Sequence, residues 1–159
     1  MESSQSNLLT INIDTPFTDQ KPGTSGLRKS SKQFLSKYYL ESFIEAILQT
    51  LPGVKGGVLI LGGDGRYGNR KAIQTIIRMA TAHGISKVIT TVDGILSTPA
   101  ASNLIRENKA IGGIILSASH NSGGPNGDFG VKINGSNGGP ASEALTNEIY
   151  SCSKNINCF

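Results

Sequence analysis

Ser119 and His120 stand side by side in SASHNSGGPNGDFGVKIN, residues 117–134, where Gly123, Gly124, Gly127 and Gly130 make a frame few side chains could obstruct. A serine hydroxyl becomes a nucleophile only with help, and three kinds of help can be weighed. A hydrolase elbow wants glycine two positions to either side of the serine, and Ser117 and Asn121 hold those places, so that geometry is excluded. Neighbouring residues of an extended segment also point to opposite sides, which leaves His120 poorly placed to take the Ser119 proton. A lone loop histidine is by default a hydrogen-bonding scaffold residue. The third possibility is phosphoryl chemistry, which needs positioning and charge neutralisation more than covalent machinery. Ser119 would then carry the phosphoryl group itself. GTSGLRK, residues 23–29, supplies Arg28, Lys29 and backbone amides from a second glycine-bracketed loop, and Lys132 follows on the next strand. Taken alone, Lys132 reads as a solvated strand lysine.

A competing motif is Gly63-Asp64-Gly65-Arg66-Tyr67-Gly68, a GxGxxG between a strand and a helix, which is the dinucleotide-binding spacing. Two features weigh against it. The acidic residue expected about 20 positions on is met only by Asp93, somewhat late, and Asp64 would set a negative charge among amides meant for a pyrophosphate. A tight strand-to-helix turn accounts for the glycines. Cys152 and Cys158 have neither CxxC spacing nor a histidine nearby, so they read as reduced, incidental thiols. The net charge of +4 is scattered without an interleaved aromatic row, which argues against a nucleic-acid surface and suits a small anionic substrate. No apolar run reaches the ~18 residues of a membrane span, and MESSQSNLLT has no secretory pattern, so a cytoplasmic location is expected.

The elements that would position these residues follow from periodicity. At 159 residues, one domain with a real core is expected. Leu9, Ile11 and Ile13 alternate and predict a first strand over 8–13, with DTPFTDQKPGTSGLRK as the loop after it. From about Ser31 a helix is predicted through Leu40, Phe43, Ile44, Ile47 and Leu48, punctuated by Leu51-Pro52-Gly53. Short apolar runs at 56–61, 87–92 and 112–119 predict inner strands, and 129–134 alternates as another. Between them lie a helix bearing Ile73, Ile76, Ile77 and Ala80, capped by Gly84, and a second opened by Pro99 and carrying Leu104 and Ile105. A last helix begins in PASEALTNEIYSCSK and gives way to a polar tail. Alternating strands and helices predict a three-layer α/β/α domain with a mixed, mostly parallel sheet flanked by helices.

SASHNSGGPNGDFGVKIN resembles the active-serine segment of the phosphoglucomutases of the α-D-phosphohexomutase superfamily, whose motif is Thr/Ser-Ala-Ser-His-Asn-Pro-Gly-Gly. GTSGLRK, GGDGRY, DGILSTPA and SNGGPASEA match the first domain of the eukaryotic-type enzymes in the same order, so the resemblance runs from the first loop to about Lys154. It implies that Ser119 is phosphorylated in the resting enzyme and exchanges its phosphoryl group with the sugar, and that His120 supports the site. It further implies that Lys132 is a candidate general acid or base, that Arg28 sets the charge around the phosphate, and that Thr24, Ser25 and Asn121 line that environment. The reaction implied is conversion of glucose 1-phosphate to glucose 6-phosphate through glucose 1,6-bisphosphate, which also serves as activator. Magnesium is implied too, held by the phosphoserine and three aspartates. The third glycine of the GxGxxG stretch is then coincidental, since the family does not require it.

Two departures matter. Ser122 replaces the motif's proline and frees the backbone next to Asn121, at a cost of ~0.4 to 1 kcal/mol. The family enzymes have four domains, whereas this chain matches only the first, and the Asp-Gly-Asp-Gly-Asp metal loop is absent, leaving Ser119, through its phosphate, as the one metal contact. Domains II to IV are missing with their sugar and phosphate loops, so the chain alone is expected to show little or no mutase activity, its hexose phosphate substrate being clamped only in part. The exposed interdomain face would be covered by the missing domains or by another protein. An alternative is a noncatalytic paralogue or truncated product acting as an interaction module, and a nucleotide-binding domain using Gly63 to Gly68 is a third class.

Overall fold

A computed structural model describes residues 8–159. Its sheet has five strands: β1 (Leu27–Ser30), β2 (Val58–Gly63), β3 (Lys87–Ile89), β4 (Gly112–Leu116) and β5 (Asp128–Gly135), in the spatial order β1-β5-β4-β2-β3. The helices are α1 (Ser31–Phe34), α2 (Tyr39–Thr50), α3 (Asn69–Ala82), α4 (Thr98–Glu107) and α5 (Glu143–Ser153).

The sheet is mixed and mostly parallel, as expected: β2 pairs parallel with β3 and β4, β1 runs in the same direction, and β5 is reversed, antiparallel to both β4 and β1. The cause is the connection from β4 to β5, which is the glycine loop itself. It reverses the chain without a crossover helix, so the strands it joins must be antiparallel.

Period-two alternation splits the sheet's side chains between two cores. Leu59, Leu61, Ile114, Leu116, Phe129, Val131 and Ile133 pack with α1, α2, α3 and α5, whereas Ile60 and Ile115 pack with Ala101 and Ile105 of α4. Helices therefore cover both faces, giving three layers. Gly84 has φ +86° just beyond α3, where the Ile85 N–H donates to the Ala80 carbonyl at 3.0 Å, so the predicted left-handed cap forms. Ser97 caps α4 ahead of Pro99, as expected of a helix opened by proline.

Three expectations are corrected. Residues 8–13 make no sheet strand: Leu9 is 86% exposed, and the segment forms a single bridge, Asn12 to Cys158, with Ile13 N–H donating to the Asn157 carbonyl at 2.7 Å. Both edges of the sheet lie elsewhere, so alternation alone found no partner. The C-terminal tail is correspondingly not loose, since Ile156 is buried and Phe159 packs edge-on against Tyr38. Secondly, the stretch read as loop contains β1, a four-residue edge strand in register with β5, Leu27 opposite Val131 and Arg28 opposite Gly130. Thirdly, the helix from Ser31 is two helices, broken at Tyr38, whose φ of 66° cannot propagate a right-handed turn. Strand bounds also move: β2 starts and ends two residues later than predicted, β3 stops at Ile89, and β4 stops at Leu116, releasing Ser117 to Ser119 from the ladder.

Candidate active site

β4 ends at Leu116, and Ser117 N–H still donates to the Gly130 carbonyl at 2.9 Å before the chain leaves the sheet. Two residues later Ser119 takes φ +54°, the left-handed region. For a residue with a Cβ that conformation costs roughly 1–2 kcal/mol, so something must hold it. The bends follow at once: Asn121 N–H donates to the Ala118 carbonyl at 3.1 Å, and Asp128 N–H to the Ser122 carbonyl at 2.8 Å. Asn121 Nδ2 donates to Asp128 Oδ2 at 2.7 Å, tying the start of the loop to its end. The extra freedom expected from serine in place of proline is thus opposed by a bond at the Ser122 carbonyl.

The Ser119 side chain is exposed, and Arg28 Nη2 donates to its Oγ at 2.9 Å across 91 residues of sequence. The pairing of Arg28 with Gly130 makes this contact possible, because it sets Arg28 beside the point where β4 gives way to the loop. A Cβ at Gly130 would overlap the Ser117 carbonyl oxygen, so glycine is required there for β5 to run against the serine segment. Gly130→Ala is expected to cost about 1–3 kcal/mol, read as a lowered urea midpoint at unchanged slope, together with altered NMR shifts at Ser117 and Ser119. An unchanged midpoint and unchanged shifts would refute the close approach.

Behind the loop lies a polar network. Ser119 N–H donates to Ser117 Oγ at 3.0 Å, and Ser117 Oγ donates to Asp64 Oδ2 at 2.8 Å. Asp64 also faces Arg66, whose Nε lies 3.0 Å from Oδ1 and whose Nη2 lies 2.8 Å from Oδ2. Partial burial raises the Asp64 pKa, but the hydrogen bonds from Arg66 and Ser117 outweigh it and hold the carboxyl below its ordinary range. Asp64 therefore stays anionic and is matched by Arg66. Arg28 forms no ion pair among the described residues, and its Nε–H is buried without an acceptor. Among the described residues, no carboxylate lies within ion-pair distance of the guanidinium at Ser119 Oγ.

Of the residues singled out from sequence, Arg28 and Ser119 are in direct contact. Asn121 braces the loop. Lys132 is half-buried on β5 and lies on the same sheet face as Arg28 by register, since Gly130 faces Arg28 and Lys132 is two residues on. It makes no side-chain hydrogen bond or ion pair among the described residues, and so none to Ser119. His120 is exposed and likewise unbonded, and Thr24 and Ser25 are exposed at the tip of a turn closed by mutual Gly23 and Gly26 hydrogen bonds of 3.0 Å. Sequence reading missed Asp64, Arg66 and Ser117 as site residues. The GGDGR turn was noticed, but its partners lie more than 50 positions away.

That turn also explains its third glycine. Gly68 has φ +86° at the N-cap of α3, and a Cβ there would sit 3.0 Å from Leu35, so its role is local geometry. With Asp64 spent on Arg66 and Ser117, the dinucleotide reading has no support. Among the described residues no three His, Cys, Asp or Glu side chains group as a cation site, and no helix is long and apolar enough to cross a membrane.

The comparisons converge. The family described as phosphoglucomutase/phosphomannomutase, alpha/beta/alpha domain I, matches residues 19–157. A phosphoglucomutase of Aspergillus fumigatus is 55% identical over 151 residues, which is 94% of this chain and 27% of that protein. One from Aspergillus oryzae is 58% identical over 144 residues, 90% of this chain and 26% of that protein. Among solved structures, the open form of the exocytosis-sensitive phosphoprotein parafusin, a phosphoglucomutase from Paramecium, superposes with a TM-score of 0.91 at 46% identity, covering 95% of this chain and 28% of that one. The chain thus spans about a quarter of the length of its relatives. Its fold, its five matching segments and these likenesses make it an α/β/α domain I of the phosphoglucomutase/phosphomannomutase family.

Proposed function

We propose that this domain carries the phosphoryl-exchanging serine of a phosphoglucomutase. The observation that carries the reading is the 2.9 Å contact from Arg28 to an exposed Ser119 Oγ held in a left-handed turn. A hydroxyl meant only to fold the loop would not need a guanidinium with no carboxylate of its own. An interaction module, the other reading of a lone first domain, leaves that contact without a purpose.

In the proposed cycle the phosphorus–Oγ bond of phosphorylated Ser119 breaks as phosphorus bonds to the C6 oxygen of glucose 1-phosphate; the C6 hydroxyl proton leaves to a base, and the departing Ser119 Oγ takes up a proton to become a hydroxyl. The product is glucose 1,6-bisphosphate. After it turns over in the site, the bond between phosphorus and the C1 oxygen breaks as that phosphorus bonds to Ser119 Oγ; the Oγ proton leaves to a base, the C1 oxygen takes up a proton, and glucose 6-phosphate departs. Arg28 neutralises charge on the phosphoryl oxygens through both steps. Lys132, on the Arg28 face of the sheet, is the proposed proton carrier, and His120, at the loop's exposed side, the proposed contact to the sugar. Thr24 and Ser25 offer hydroxyls and amides from the neighbouring turn.

The described residues of this domain do not by themselves fit a magnesium ion, since Asp64 is already bound and no three metal-ligating side chains group together among them. The metal ligands and the clamps on the distal end of the sugar must come from outside residues 8–159. The test is a coupled glucose 6-phosphate assay with glucose 1-phosphate, magnesium and glucose 1,6-bisphosphate. Little or no turnover is expected of the chain alone, and turnover is expected once the remaining domains of a relative are supplied. Full turnover by the chain alone would contradict the dependence on other domains, and none from the assembled enzyme would contradict the function.

A further inference from the structure

We propose that Arg66 is a positioning residue that latches the serine loop shut and so aims Ser119 at Arg28. The inference rests on the reading of Ser119 as the phosphoryl carrier, and its geometry can be tested apart from it.

The loop between β4 and β5 has two ends, and Arg66 holds both. Its Nη1 donates to the Asp128 carbonyl at 2.6 Å, and its Nη2 donates to the Ser119 carbonyl at 3.2 Å. The guanidinium is itself fixed from behind by Asp64, and its side chain is only 6% exposed. Asp64 reaches the same loop by a second route, through Ser117 Oγ to the Ser119 amide. Ser119 is therefore gripped at its N–H and at its carbonyl, the two groups whose directions define a left-handed residue, while its Oγ is left free for Arg28.

The two arginines consequently do different things. Arg28 touches the reacting oxygen. Arg66 touches no reacting atom; it supplies the backbone geometry within which Arg28 can. Only a planar fork with several fixed donors can face a carboxylate on one side and two carbonyls on the other, so lysine cannot substitute although its charge is the same. Cut loose from Arg66, Ser119 would relax to an ordinary right-handed or extended conformation and carry its hydroxyl away from Arg28.

The experiment compares isotope-labelled wild type, R66A, R66K and R28A by NMR. In both Arg66 variants the Ser119 carbon shifts should leave left-handed values, and amide order parameters over 119–128 should fall from about 0.85 to below about 0.6. Resonances of α2 and β2 should stay put. In R28A the loop should remain ordered and left-handed at Ser119. An ordered, left-handed Ser119 in R66A, or rescue of it by lysine in R66K, overturns the latch. Should R66A fail to fold, R66K decides the matter by the same two readouts. Phosphoryl uptake from glucose 1,6-bisphosphate onto the wild type, assembled with the remaining domains of a relative and read by mass, is scored separately. Absent uptake with the loop responses as expected would sink the carrier reading and leave the latch standing.

Discussion

Ser119→Ala is expected to abolish turnover in the assembled enzyme, by roughly a million-fold in kcat, since removal of an attacking hydroxyl has that order of effect where no other group replaces it. The neighbouring hydroxyl of Ser117 is not poised to take over. Ser117 Oγ already donates to Asp64 and accepts from the Ser119 amide, so it is spent on structure. Ser119→Thr separates chemistry from geometry, because it keeps the hydroxyl but asks a β-branched residue to adopt φ +54°. Serine already bears the cost of a Cβ there, so only the added strain of β-branching counts, and at roughly 1 kcal/mol about 5-fold of activity should be lost. Initial rates in the coupled assay check both. Threonine at wild-type rate would show that the left-handed turn is immaterial.

Phe34→Ala should destabilise the domain by about 3–5 kcal/mol, a large share of the ~5–15 kcal/mol typical of folded domains. Phe34 is fully buried, with its ring centroid 5.5 Å from Tyr39 in edge-on contact and 5.2 Å from Phe129. Those contacts hold the short helix α1 to β5. Removing the ring leaves a cavity between Phe129, which neighbours Gly130, and the segment that carries Arg28. The effect should therefore reach the site, weakening the placement of β1 as well as the core. Urea unfolding followed by circular dichroism measures it. A loss below about 1 kcal/mol would show that the aromatic cluster repacks and is not the pin described here.

The parts of the molecule legible in the sequence are those whose cause is local. Gly84 capping α3, Pro99 opening α4 and the apolar runs of β2 and β4 each carry their reason within a few residues. The glycine frame around Ser119 is legible for the same reason, and the matching segments assign it to a family. What was not legible depends on partners far along the chain. β1 has only Leu27 facing the core, and a four-residue edge strand is defined by the strand it joins. Residues 8–13 alternate convincingly, yet they join no strand of the sheet and bridge only to the C-terminal tail at Cys158. Tyr38 breaks a helix that apolar spacing alone would have continued through it. The Asp64, Arg66 and Ser117 network joins positions 53 or more residues apart, and its role appears only when β2 and β4 are set side by side.

The central claim is that one hydroxyl oxygen, Ser119 Oγ, carries the phosphoryl group. The most direct measurement is mass mapping of the phosphate after exposure to glucose 1,6-bisphosphate and magnesium, in the presence of the remaining domains of a relative. A single phosphoryl group on Ser119, absent from Ser119→Ala, is the predicted result. Phosphate on any other residue of the domain, or equal uptake by wild type and Ser119→Ala, would contradict it.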